Sequence, residues 1–229
     1  MLRFLNFFSI FAHQLFKKPI MSANFTPDYS FKRPEISTRE LSWDKSKVLM
    51  VKTDNTGVIL YVNDDFVDVS GYEEVELINN PVNMLRHPDT PQAIFKLMWD
   101  DLNFKRGAHV IVKNVAKTGR FFWTALEINA NVNIDKSISY TAQLKSVPDD
   151  VISDKIGPLY EKLIKLEKEN GMNAGVNYLI GFLEEKDKSL IDLMDSLIVS
   201  TVVKPKANLK DGSQKRKGFF SGLFNSDDE

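Results

Sequence analysis

Phe122-Trp123-Thr124-Ala125-Leu126-Glu127-Ile128-Asn129-Ala130-Asn131-Val132 decides the fold class. Phe122, Thr124, Leu126, Ile128, Ala130 and Val132 alternate with Glu127, Asn129 and Asn131. A period of two with one apolar face predicts a half-buried antiparallel strand. Upstream, Lys117-Thr118-Gly119-Arg120 reads as a turn, and Ala108 to Val115 as the strand before it. Downstream, Ile138 to Val147 reads as the strand that pairs next.

Further out, Lys47 to Lys52 and Val58 to Val62 flank Asp54-Asn55-Thr56-Gly57, a hairpin signature. Asn63-Asp64-Asp65 offers N-caps to a short helix carrying Phe66, Val67 and Val69, which Gly71 stops. A second short piece is expected over Glu73 to Ile78. Thr90-Pro91 predicts a helix start with a capping hydroxyl and Pro at the first position. Ile94, Phe95, Met98 and Leu102 then share one face, and Gly107 ends the helical region. Two strands, short helices, one longer helix and three strands predict an α+β fold. It is a five-stranded antiparallel sheet with helices on one face.

Residues 47–148 form the expected folded domain. Residues 1–46 read as a flexible leader whose end Leu41 and Trp43 pin to the domain. Its first 20 residues are apolar and lightly basic, but Asn6, His13 and Gln14 interrupt them and no Ala-x-Ala follows. They read as an amphipathic helix, a weak anchor, or sequence ahead of a start at Met21. Residues 149–203 read as a helical hairpin for signalling or docking. Leu159, Leu163 and Leu166 have helical spacing, Gly171 and Gly175 break it, and a longer helix is expected from Val176 to Thr201. These stripes are too long for so small a domain to cover and predict an interface. Residues 204–229 read as a disordered tail with Lys215-Arg216-Lys217 and Phe219-Phe220.

Composition narrows the chemistry. The chain has 229 residues, 43% hydrophobic and 27% charged, with a net charge of −1. That balance gives no strong attraction to nucleic acid. Cysteine is absent, which removes disulfides, zinc thiolates, iron–sulfur clusters, thiol catalysis and any cysteinyl–flavin bond. Three histidines make a multi-histidine metal site a poor reading. Glu73-Glu74, Asp149-Asp150 and Glu184-Glu185 read as solvated surface, and His109 as an ordinary strand or loop residue. With no catalytic motif, no enzyme is expected.

One segment does carry site chemistry. Asn83-Met84-Leu85-Arg86-His87-Pro88-Asp89-Thr90-Pro91 gathers a cation, an imidazole and a carboxylate, and Trp99 follows on the helix. Arg86 supplies a rigid fork of donors, Trp99 a ring to pack on, and Asn114 an amide that donates and accepts at once. That set suits a flat aromatic molecule with polar edges.

Several stretches together resemble a PAS domain, and specifically the FAD-binding sensor of bacterial aerotaxis receptors. They are Val62-Asn63-Asp64, Phe66 to Tyr72, Asn83 to Asp89, Phe95, Met98-Trp99, Val112-Lys113-Asn114 and Gly157-Pro158-Leu159-Tyr160. The resemblance covers about residues 47–162. It implies noncovalent FAD held by Arg86, His87, Asp89, Trp99 and Asn114, with Asn63 and Phe95 as weaker candidates. It implies a cytoplasmic redox or energy sensor for motility, the soluble half of a bipartite energy-taxis system. The partner would be a membrane-bound, methyl-accepting-type chemotaxis transducer, which would hold the chain peripherally at the inner membrane. A homodimer is the fallback. The family's Gly-x-Pro-Trp segment is replaced by the shorter Gly107-Ala108-His109-Val110, so one aromatic wall is either missing or supplied elsewhere, with Trp123 as the candidate. Other readings are a cofactor-free PAS adaptor and a haem-binding PAS gas sensor with His87 as axial ligand.

Overall fold

The computed structural model describes residues 33–104 and 107–202. The expectations for Met21, the first 20 residues and the basic–aromatic tail lie outside the described residues. Five strands, β1 (Leu49–Asp54), β2 (Ile59–Val62), β3 (Ala108–Val115), β4 (Phe121–Val132) and β5 (Ile138–Ser146), form one sheet in the order β2-β1-β5-β4-β3. Every pairing is antiparallel. β4, the longest, pairs with β3 over Phe121–Ile128 and with β5 over Thr124–Val132. Register aligns Val51, Ala142, Ile128 and Ala108 in one row across four strands. All four are buried. Because side chains alternate, this row and the residues two apart from it define the inner face.

The first helices form where their caps are. Asn63 caps α1 (Asp64–Ser70) by accepting from Phe66 N–H, and its side chain also bonds Met50 N–H at 2.8 Å and Val48 O at 2.9 Å. It therefore ties the helix to β1. Gly71, at φ 71°, closes α1 in the left-handed conformation that glycine adopts without penalty. Glu73 and Glu76 form a capping box around α2 (Glu74–Leu77).

α3 (Gln92–Asn103) starts differently from the sequence expectation. Pro91 is its N-cap and no side chain of that residue caps it. The Thr90 hydroxyl instead exchanges hydrogen bonds with the Lys113 backbone. A strand edge competes for that hydroxyl more effectively than the helix does.

The C-terminal segment departs most from expectation. An α turn at Asp149–Val151 widens to π-helix over Ile152–Ile156 and continues as α4 (Gly157–Asn170). The single long helix expected over 176–201 is two helices, α5 (Met172–Glu185) and α6 (Leu190–Val202). The break is Lys186–Ser189, the end of the charged run, where Asp187 takes φ 50°. Gly171 separates α4 from α5, whereas Gly175 lies within α5. Most of the leucine stripe is covered, with Leu197 packed against the core and Leu166 half-buried. Leu159, Leu163, Leu179, Leu183, Leu190 and Met194 are buried and continuous with the core of the sheet domain. Their partner is the sheet domain itself, so they give no evidence of a second protein.

The end of the leader is pinned as expected. Ser37 N–H bonds Gly119 O, Leu41 N–H bonds Phe121 O, and Trp43 packs edge-on against Phe122. Gly119 (φ 79°) leaves room for that strap, since a Cβ there would stand 2.0 Å from Glu35 O.

Candidate functional site

β3 is an edge strand, and an edge leaves N–H and C=O groups without a neighbour. The segment Arg86–Thr90 fills part of that edge. His87 N–H and the Thr90 hydroxyl both donate to Lys113 O, and Lys113 N–H donates to the Thr90 hydroxyl. The result is a one-residue antiparallel bridge between Arg86 and Asn114. Residues paired in this way project side chains to the same face. Asn114 belongs to the inner face, so Arg86 does too.

There the guanidinium carbon sits 4.2 Å over the Phe95 ring, and Nη2 donates to Thr90 O at 3.3 Å. Burial lowers the Arg86 pKa, Glu167 opposes that shift, and Arg33 adds to it. Among the described residues Arg86 forms no salt bridge, so most of its five N–H donors stay available. Asn114 is buried and donates to Thr124 Oγ1 at 3.0 Å. Trp99 lies one turn beyond Phe95 on the same side of α3 and meets Tyr140 edge-on, with centroids 5.5 Å apart. Arg86, Phe95, Trp99 and Asn114 thus share the inner face: Arg86 covers Phe95 and is bridged to Asn114, and Trp99 lies one turn further along α3 beside Tyr140.

The other candidates do not join them. His87 follows Arg86 and faces the other way. Its ring is buried beside Phe121, at 6.0 Å between centroids, and Nδ1 accepts from Asp89 N–H. Asp89 pairs with Lys113 Nζ at 2.8 Å. These two residues lock the Arg86–Thr90 segment onto β3. Asn63 is committed to α1 and β1. Trp123 faces away from Asn114 and packs on Tyr160, so it does not replace the family's aromatic wall. A cleft of about 480 Å³ lies on that side, lined by Trp123, Tyr160 and equal numbers of cations and anions, including the Asp89–Lys113 pair. His109, expected to be ordinary, reaches Asp195 of α6.

Burial pushes the His87 pKa down to about 4, with help from Lys113 and against Asp89. The ordinary value is 6.5. Between those values the unfolded chain takes up a proton that the folded chain refuses. Stability is therefore complete above the ordinary value and falls as pH drops towards about 4. The expected loss is up to about 3 kcal/mol. Urea unfolding from neutral to mildly acid pH should show this slope in the wild type and a flatter one in His87→Asn, which keeps an acceptor for Asp89 N–H. Equal slopes would disprove the assignment.

Two contacts beside the site escaped the sequence reading. Glu167 of α4 accepts from the N–H groups of Gln92 and Ala93, and Tyr160 donates its hydroxyl to Ile111 O on the β3 edge.

An antiparallel five-stranded sheet with helices on one face, a short segment bridged to its edge strand, and helices beyond the sheet is a PAS fold. Residues 59–137 match the family model described as the PAS fold. The Escherichia coli (strain K12) aerotaxis receptor is 35% identical over 130 residues, 57% of this chain and 26% of the receptor. Blue-light-activated histidine kinase 1 of Erythrobacter litoralis is 22% identical over 182 residues, 72% of this chain and 50% of the kinase. The chain thus spans about a quarter of the receptor and half of the kinase. A solved light-oxygen-voltage domain, studied with a flavin analogue, superposes with a TM-score of 0.44 at 20% identity, covering 51% of this chain and 90% of that one. The chain has a PAS fold and is similar over 130 residues to part of the aerotaxis receptor.

Proposed function

We propose that this chain is a non-enzymatic redox or energy sensor that holds FAD in its PAS domain. It relays the redox state to a membrane-bound, methyl-accepting-type chemotaxis transducer. The observation that carries the reading is the Arg86–Asn114 bridge. It brings a guanidinium with free donors and a buried amide to one face, beside Phe95 and Trp99. This donor set fits a flavin, which needs an apolar slot, bonds to its pyrimidine edge and countercharge. When bound, the group supplies a redox change. Arg86 holds the electron-rich edge, Asn114 donates and accepts at the polar edge, and Trp99 packs on the rings. None of these side chains is a nucleophile or a general base poised beside one, so the site holds a molecule rather than transforming it.

The relation to the aerotaxis receptor supports the signalling context. On this reading the chain works in the cytoplasm, held at the inner membrane through its transducer, with a second copy of itself as the alternative partner. Among the described residues no helix is long and apolar enough to cross a membrane. His87 faces away from the Arg86 site, which favours flavin over haem. Purified protein is expected to be yellow, to release FAD on denaturation and to bleach with reductant. Colourless protein that also takes up no added FAD would overturn the reading in favour of a cofactor-free adaptor.

A further inference from the structure

α3 begins without a cap of its own. Pro91 provides no side-chain hydrogen bond, and the Thr90 hydroxyl is engaged with Lys113. Its first N–H groups are satisfied from far away in sequence. Gln92 N–H reaches Glu167 Oε2 at 2.9 Å and Ala93 N–H reaches Glu167 Oε1 at 2.8 Å. A carboxylate there also opposes the positive end of the helix dipole. α5 makes room for it, since a Cβ at Gly175 would stand 2.7 Å from Glu167 Cγ and 2.9 Å from Oε1. Three elements therefore converge on one carboxylate: α4 carries it, α5 leaves space for it, and α3 receives it.

The same carboxylate acts on Arg86. Glu167 attracts the guanidinium without a direct salt bridge, and Arg33 opposes it. Arg86 itself donates to Thr90 O, two residues before Gln92. Phe95 and Trp99, the aromatic side of the proposed site, sit on the first two turns of the helix that Glu167 anchors.

We infer that Glu167 is a positioning residue of the Arg86 site: it fixes the first turn of α3 and sets the negative charge with which an electron-rich ligand on Arg86 competes. The ligand half of this inference rests on the function proposed above. Its consequence is a coupling between two places. An anionic edge drawn to Arg86 weakens the hold of Arg86 on Glu167 and adds repulsion, which loosens α4 and α5 from α3. By linkage, loosening those helices strengthens the hold of Arg86 on the ligand by the same factor.

A double-mutant cycle on the full chain tests the pair without any cofactor. Glu167→Gln keeps the shape and one acceptor, and Arg86→Met keeps the length over Phe95. Urea unfolding of both single variants and the double variant is expected to be non-additive, with the double losing less than the sum. Additive losses would overturn the inference. Amide exchange gives a second readout: Gln92 and Ala93 are expected to exchange about tenfold faster in Glu167→Gln, in line with the loss of a charge-assisted bond. Unchanged exchange at both residues would also overturn it.

The third readout uses added FAD. Glu167→Gln is expected to bind it more tightly than the wild type and to hold it at a more positive midpoint potential, because a negative charge near the site is gone. A midpoint equal to wild type, or lower, would overturn the coupling. If the cycle shows coupling but no variant takes up FAD, the positioning role of Glu167 stands and the flavin reading falls.

Discussion

A chain ended at residue 151 is expected to accumulate as insoluble or partly unfolded protein, although every strand of the PAS sheet is intact. The cut removes Ile156, Tyr160, Leu163, Leu179 and Met194, all of them buried in the core that the sheet domain shares. It also uncovers Ile111 O, which Tyr160 caps, and the α3 start, which Glu167 caps. A single substitution samples the same effect. Leu163 is 0% exposed, and Leu163→Ala is expected to cost about 2–5 kcal/mol through lost burial and the cavity left behind. For a protein whose whole stability is about 5–15 kcal/mol, several such losses together are decisive. Chemical denaturation of Leu163→Ala, with solubility and circular dichroism of the truncated chain, gives the measurement. A truncated chain as stable as the full one would show that the helices rest on the sheet domain without supporting it.

The second large effect concerns ligand retention. Arg86→Met is expected to weaken FAD binding by roughly 10- to 150-fold, the equivalent of about 1.5–3 kcal/mol for a bond to a charged group. Methionine preserves contact with Phe95 and removes only the donors and the charge. Trp99→Ala is expected to strip the flavin as well. It also removes the edge contact with Tyr140, and losing a large aromatic can cost roughly 3–5 kcal/mol of stability. Circular dichroism must show the fold intact before the loss is assigned to the site. Lys96→Ala is the control, since Lys96 pairs with Asp100 one turn on rather than with any site residue. Undiminished flavin in both Arg86→Met and Trp99→Ala would place the ligand elsewhere.

Most of the sheet was legible because its signals are local. The alternation of β4, the turn at Lys117–Arg120 and the β-branched run of β3 each specify their own element, and β3 falls at Ala108–Val115 as expected. β1 lies two residues later than its apolar run suggests because pairing with β5 extends it to Asp54, opposite Ser139. The errors lie where distant groups compete. Thr90 reads as a helix cap, and only the position of Lys113, 23 residues on, shows that a strand edge claims it. The leucines of α4 to α6 read as an open stripe because no sequence pattern says which way a helix folds back. Trp123 reads as an aromatic wall, and a one-residue parity difference from Phe122 places it on the opposite face. Glu167 carries no local mark at all, lying between Leu166 and Lys168 in an ordinary helical run. Its nearest clue is Gly175, which reads as a break and serves as a vacancy in a helix.

The closed edge of β3 has a consequence for how the chain is made. A ribosome delivers β3 some 49 residues before the Tyr160 hydroxyl that caps Ile111, and 86 residues before the Asp195 that meets His109. At about 5–20 residues per second the second interval lasts roughly 4–17 s. During that time the nascent sheet presents an open strand rich in valine and isoleucine, the kind of edge that recruits other strands. The early hold of His87 and Thr90 on Lys113, already synthesised when β3 emerges, shields only one end of it. Newly made chains therefore pass through an interval in which chaperone supply, rather than final stability, governs yield.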